Sequence, residues 1–448
     1  MSREHGAPRQ LKLNLFIYGA GHHQAAWRAP DSAAERLSGT EYYIELARTA
    51  ERGLLDAVFL ADGQSLSPSA AQAGPTWFHE PLTLLSALSQ HTSRIGLVCT
   101  VSSSFHTPFH AARMLASLDH LSGGRAGVNV VTSMWDAEAQ NHSMDGLPDH
   151  DTRYGRAEEF IQVMRRLWQS YPGDALEIDR QGRFADPRAL QAINHQGEHF
   201  SVRGPLNVPS TPQGFPVLFQ AGSSVQGRTL AAKYAEAVYA VAADQQMALD
   251  YARDLRARIG SAGRGEQGVA IMPGLVTYVG RTQQEARAKQ RELNRLLPTA
   301  DALKQLGVFV QQDTSGWALD EPVPELPGSE EFSGPQGRYA TIQRLIKVHE
   351  PTVRELLGLL AAGGGHCTMV GTAESIADEM EHWLDSGAAD GFNLMPPALP
   401  GGIEDFVDMV IPELQRRGRF RTAYQGATLR DHLGLEQPAT GRRPLPVP

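Results

Sequence analysis

Cysteine is nearly absent. Cys99 and Cys367 are the only two in 448 residues, which excludes a disulfide framework and any paired-thiolate metal site and fits a reducing cytoplasm. Basic charge is also short: 41 Lys and Arg stand against 50 Asp and Glu, a formal net charge of −9. No Arg/Lys block carries interleaved aromatics, so neither nucleic acid nor an anionic membrane surface is an expected partner. No apolar run approaches the roughly 20 residues that span a bilayer, and the N-terminus MSREHGAPRQ is too polar for an export signal. There is no GxSxG elbow, which argues against an α/β-hydrolase. The 16 histidines invite a metal reading, but no HxH closes the first strand and His106 and His110 flank a proline in SFHTPFH. No metal is expected.

What is present is ordinary soluble composition, 41% hydrophobic and 20% charged, with 44 Gly and 28 Pro for many tight connections. Short apolar or β-branched runs recur before helical patterns at Leu13–Tyr18, Asp56–Ala61, Ile95–Val101, Ala126–Thr132, Pro216–Gln220, Ala237–Val241, Leu275–Gly280 and Gly391–Met395. Eight such units predict an α/β fold, a (β/α)8 TIM barrel, with an open doubly wound sheet as the alternative. One domain over 1–436 is expected, with insertions at about 134–153, 171–215 and 296–350 on the C-terminal face and a flexible tail at 437–448. The last insertion contains DEPVPELPGSEEFSGPQGR (320–338), which reads as a mobile cover.

In such a barrel the polar residue closing each apolar strand faces the reaction. Asp62 ends DAVFLAD, Thr100 lies in GLVCTVSS, and Asn129 sits inside the apolar run AGVNVVTS. A buried amide there needs hydrogen bonds, from core backbone or from a polar heterocycle at the mouth. The run PVLFQAGSSVQGRTLAAKY (216–234) reads as strand, turn and helix. Ser223 and Ser224 then meet free N–H groups at a helix N-terminus, either as an anion cradle or as a plain cap. His150 and Tyr154 in HDTRYGRAEEF are four apart at a helix entrance and share a face, as ligand contacts or as a surface His and an anchoring Tyr.

Taken together, FLAD (59–62), EPLTLLSALSQHTSRIGL (80–97), SLDHLSGGRAGVNVVTS (117–133), HDTRYGRAEEF (150–160), GEHFSVRGPLNVPSTPQGFPVLFQAGSSVQGR (197–228), ADGFNLMPP (389–397) and VIPELQRRG (410–418) resemble the bacterial-luciferase-like flavin monooxygenases. The specific likeness is to the nitrilotriacetate monooxygenase component A group, with the EDTA, dibenzothiophene sulfone and long-chain alkane monooxygenases. The resemblance implies a barrel that takes reduced FMN from a separate NAD(P)H:flavin reductase, adds O2, and oxidises a small organic substrate through a flavin hydroperoxide. It implies FMN contacts at Asp62, Thr100, His150, Tyr154 and Ser224, with Asn129 and the Ser223 amide close by. It also places the phosphate cradle after the fifth strand, where barrels more usually use the seventh and eighth. His22 and Trp27, in the first loop GAGHHQAAWRAP (19–30), are expected over the substrate side of the flavin. Trp77, Phe78 and Trp135 near loop ends permit an apolar or aromatic substrate. A homodimer or homotetramer is expected. No catalytic acid or base is assigned, and the alternatives are a deazaflavin-dependent dehydrogenase or a non-catalytic flavin-binding relative.

Overall fold

The computed structural model describes residues 9–75, 79–265, 268–327 and 336–438, with backbone alone at 336–338. Trp77 and Phe78, much of the 320–338 segment and most of the 437–448 tail lie outside the described residues. The strands are β1 (Lys12–Phe16), β2 (Ala57–Leu60), β3 (Gly96–Ser102), β4 (Ala126–Val131), β5 (His195–Gln196), β6 (Ser201–Val202), β7 (Val217–Ala221), β8 (Ala237–Ala240), β9 (Ala270–Val279), β10 (Cys367–Gly371) and β11 (Gly391–Leu394). Eight of them close a parallel ring in the order β1-β2-β3-β4-β7-β8-β9-β11, and β11 returns to β1. This is the expected (β/α)8 barrel.

One strand departs from expectation. The run expected at Leu275–Gly280 begins at Ala270, and its first half closes the barrel between β8 and β11. Its second half leaves the ring and takes β10 as partner, with Leu275 opposite Cys367 and Val279 opposite Gly371. Pro273 and Gly274 interrupt the β pattern, which hid the barrel half. Gly274 is required there, because a Cβ would lie 2.4 Å from His366 Nδ1 and 2.7 Å from Met395 Sδ.

Strand residues alternate between two cores. Leu97, Cys99 and Val101 of β3 face the helical ring, and Val98 joins Phe16, Phe59, Phe219, Met272 and Met395 inside the barrel. Leu429 and Leu433 of the C-terminal segment complete that interior cluster. Gly96 and Gly127 leave the space: a Cβ at either would lie 2.5 or 3.1 Å from a Leu429 methyl. Buried Arg430 anchors the segment to the Glu236 carboxylate and to the Phe215 carbonyl. The strand N-terminal end is therefore plugged, and the C-terminal end remains as the mouth.

The insertions are more ordered in kind than their composition suggests. Residues 134–153 hold a short helix, Asp136–Gln140. The second insertion folds the hairpin β5–β6 onto the helix His150–Gln169, where His195 Nε2 lies 2.7 Å from Glu159 Oε1. The third was expected as a mobile cover. It carries helices Thr299–Val310 and Gln336–His349, packed with Val353–Gly363 around Leu303, Leu306, Tyr339, Ile342 and Leu356. Amphipathic spacing on both sides of the Pro-rich run supplies that core.

Candidate functional site

The barrel mouth is floored by aromatic side chains that the strand pleat turns inward. Phe16 meets Phe59 edge-on at 5.1 Å and Tyr239 at 5.8 Å between ring centroids. Thr100 and Asn129 stand beside them, paired in register across β3 and β4. Asn129 Nδ2 donates to Thr100 Oγ1 at 3.1 Å, and Asn129 Oδ1 is buried without a protein partner. An unsatisfied acceptor of this kind costs about 1–3 kcal/mol, so the amide is set to accept from a donor at the mouth.

Asp62 follows β2 and is half-buried. Gln64 Nε2 donates to its Oδ2 at 2.8 Å. Burial pushes the Asp62 carboxyl above the usual carboxylate range, with Glu80 adding to the rise and Gln64 and His106 opposing it.

Beyond β7 the chain turns through Gly222 and exposed Ser223 into the helix Val225–Tyr234. Ser224 caps that helix, its Oγ accepting from Gly227 N–H at 3.0 Å. The Val225 and Gln226 amides at the helix start remain for a ligand, since only the first-turn N–H groups lack intrahelical acceptors. Tyr154 arrives from the helix His150–Gln169, whose cap Asp149 accepts from Thr152 N–H at 3.0 Å. Its hydroxyl lies 3.5 Å from Ser224 Oγ, and its ring lies 4.8 Å from that of His150. A Cβ on Gly227 would sit 3.1 Å from Tyr154 OH and 3.2 Å from Gly222 Cα. The turn is thus built around the absence of that atom. Arg228 Nη1 pairs with Asp254 at 2.9 Å, and the cradle itself offers hydroxyls, amides and the positive helix end.

The first loop divides. His22 is half-buried at the mouth, and its Nε2–H donates to the Phe16 carbonyl at 3.0 Å. Its ring stacks on Tyr18 at 5.4 Å and meets Phe16 at 4.6 Å. Desolvation lowers its pKa to about 4, so it is neutral with Nδ1 as an acceptor. Trp27 bridges loops: Nε1 donates to the Ala73 carbonyl at 3.1 Å and Arg28 lies 4.3 Å over its ring. It ties the first loop to the segment after β2. The structure therefore joins Thr100 to Asn129 and Tyr154 to Ser224 and His150, and sets His22 against the aromatic floor. Two residues passed over in the sequence also reach this floor. Tyr239 OH lies 3.0 Å from His366 Nε2 and 3.1 Å from Met395 Sδ, with the Tyr239 and His366 rings stacked at 5.2 Å. The inward position of Tyr239 in AVYA was the available signal.

No group of three or more His, Cys, Asp or Glu able to hold a metal occurs among the described residues. No helix among them is long and apolar enough to cross a membrane.

Residues 18–390 match the family described as luciferase-like monooxygenase. The chain belongs to that family. This monooxygenase is 45% identical over 432 residues to N-acetyl-S-(2-succino)cysteine monooxygenase of Bacillus subtilis (strain 168), covering 96% of this chain and 98% of that one. It is 44% identical to nitrilotriacetate monooxygenase component A of Aminobacter aminovorans, over 97% and 98% of the two chains. Its fold is similar to a crystal structure of riboflavin lyase with modified FMN and riboflavin, at a TM-score of 0.82 and 30% identity, covering 98% of this chain and all of that one.

Proposed function

We propose that this luciferase-like monooxygenase is the oxygenating component of a two-component, FMN-dependent system. It receives reduced FMN from a separate NAD(P)H:flavin reductase and transfers one oxygen atom from O2 to a small organic substrate. The observation that carries this reading is the turn 222–227, where Gly227 leaves room for Tyr154 OH against the Ser224 cap, one side of a mouth that also holds the unpartnered Asn129 acceptor. The residues suit FMN at both ends. Ser224, Tyr154, His150 and the amides of Ser223, Val225 and Gln226 would hold the phosphate, while Asn129, Thr100 and Asp62 would take the polar edge of the ring and the ribityl chain. The related riboflavin lyase structure contains a modified FMN, and the second relative is by name one component of a larger enzyme. Both support the assignment.

Bound reduced FMN supplies the electrons that activate dioxygen. The chain's own groups bind, orient and exclude water. Phe16, Phe59 and Tyr239 give the mouth an apolar floor, and neutral His22 adds an acceptor without a charge. The test is a substrate screen in cytoplasm-like reducing buffer with an unrelated flavin reductase supplying reduced FMN, read as oxygen-dependent mass gain with isotopically labelled dioxygen. Label in the product is the expected result. Tight FMN binding with no labelled product from any substrate would favour a non-catalytic relative, and turnover only with a deazaflavin would favour a dehydrogenase.

A further inference from the structure

Three loops at the mouth are cross-linked by side chains that the flavin reading leaves unused. Gln64, two residues beyond Asp62, is held on all four of its polar atoms. Its Nε2 donates to Asp62 Oδ2 at 2.8 Å. Its Oε1 accepts from His142 Nε2–H, and its backbone carbonyl accepts from Asn141 Nδ2 at 2.8 Å. Its backbone N–H donates to Glu138 Oε1 at 3.2 Å.

The holders are themselves fixed. Glu138, 5% exposed, accepts from Met134 N–H and Trp135 N–H at 3.2 Å each through its other oxygen. The His142 ring lies flat on Phe105 at 4.3 Å, with 7° between the planes, which brings in the loop after β3. An amide that accepts from a histidine N–H at Oε1 has its NH2 end turned the other way, toward the carboxylate. The direction of the Gln64 amide is therefore set by His142, and the position of its backbone by Glu138 and Asn141.

We propose that Gln64 is a positioning residue for Asp62: clamped between the loops after β3 and β4, it aims an N–H at one carboxylate oxygen and holds the carboxylate in the orientation that flavin binding needs. This role rests on Asp62 being a flavin contact. A carboxylate accepts from a flavin N–H or a ribityl hydroxyl more strongly when ionised, so binding weakens as pH falls through its pKa. The groups that act on it are Glu80, which raises that pKa, and His106, the Gly63 N–H and Gln64, which lower it. Glu138 and His142 face it through Gln64. Removing the Gln64 donor leaves burial less opposed, so the acid limb of FMN binding moves to higher pH.

The experiment is a titration of the flavin-free protein with FMN across pH, for the parent, Gln64→Leu, Gln64→Glu, Asp62→Asn and the double variant Asp62→Asn/Gln64→Leu, with thermal unfolding in parallel. Gln64→Leu should weaken binding by roughly three- to tenfold and shift the acid limb upward at an unchanged unfolding temperature. Gln64→Glu, which sets a carboxylate against a carboxylate, should shift it further. Adding Gln64→Leu to Asp62→Asn should cost nothing more. If Asp62→Asn weakens binding and Gln64→Leu does not, or if the two losses simply add, Gln64 has no positioning role. If Asp62→Asn itself binds FMN like the parent, the assignment of Asp62 beneath it fails first.

Discussion

Replacing Gly227 with alanine asks whether the turn 222–227 is shaped for a phosphate. The added Cβ would lie 3.1 Å from Tyr154 OH and 3.2 Å from both Gly222 Cα and Ser224 Oγ, a few tenths of an ångström inside ordinary contact. Gly222 and Ser224 belong to the turn itself, whereas Tyr154 reaches it from the helix His150–Gln169. Tyr154 must therefore give. Alanine gains up to about 1 kcal/mol over glycine in a helix, while overpacking costs about 1–3 kcal/mol, so net stability should change by no more than about 3 kcal/mol. Binding suffers more, because the displaced hydroxyl is the one set to donate to an anion. Loss of one charge-assisted hydrogen bond is worth about 1.5–3 kcal/mol, or roughly ten- to hundredfold in FMN affinity. Calorimetric titration with FMN, beside a thermal melt of the same protein, separates the two effects. A folded Gly227→Ala protein that binds FMN within about twofold of the parent would refute the cradle.

Ser224→Asp replaces a donor with a carboxylate facing the phosphate and should cost about 2 kcal/mol or more, about tenfold or more in affinity; a fluorescence titration with unchanged affinity would remove Ser224 from the site. Tyr154→Phe and His150→Ala should each weaken flavin binding by about 1–3 kcal/mol while the melt stays put, and parent-like affinity in both would return the pair to a surface role. Acid should destabilise the fold through His23, which is 1% exposed and has its pKa lowered to about 4 by desolvation. The unfolded chain takes up that proton at its ordinary 6.5, so stability from this group is complete above pH 6.5 and is lost by roughly 3 kcal/mol as pH falls toward 4. Asp119, pushed up to about 6 by burial, works in the opposite sense. Urea midpoints between pH 7 and 4.5 should fall more steeply for the parent than for His23→Gln, and equal slopes would show that His23 is not held neutral.

Legibility in this chain follows the range of the contacts. The proposed phosphate end was visible as a candidate because its parts are local: serines at a helix start, and a His and Tyr one helical turn apart. The barrel could be read because parallel strands buried on both faces keep apolar runs of a recognisable length. What stayed hidden is held by partners far apart in the chain. Tyr239 and His366 meet across 127 positions and Gln64 and His142 across 78, separations that leave no local pattern. The excursion at 296–350 shows a different failure, since its Pro, Gly and acidic run masked the amphipathic helices Thr299–Val310 and Gln336–His349 on either side. Composition reported the connection and missed the core that Leu306, Ile342 and Leu356 build across it. Trp27 is the instructive case at the site. Its place in a loop over the mouth suggests a substrate contact, and the fold adds a bridging role through its indole N–H to the Ala73 carbonyl. A buried or bridging indole needs such a partner, and only the fold shows which carbonyl supplies it.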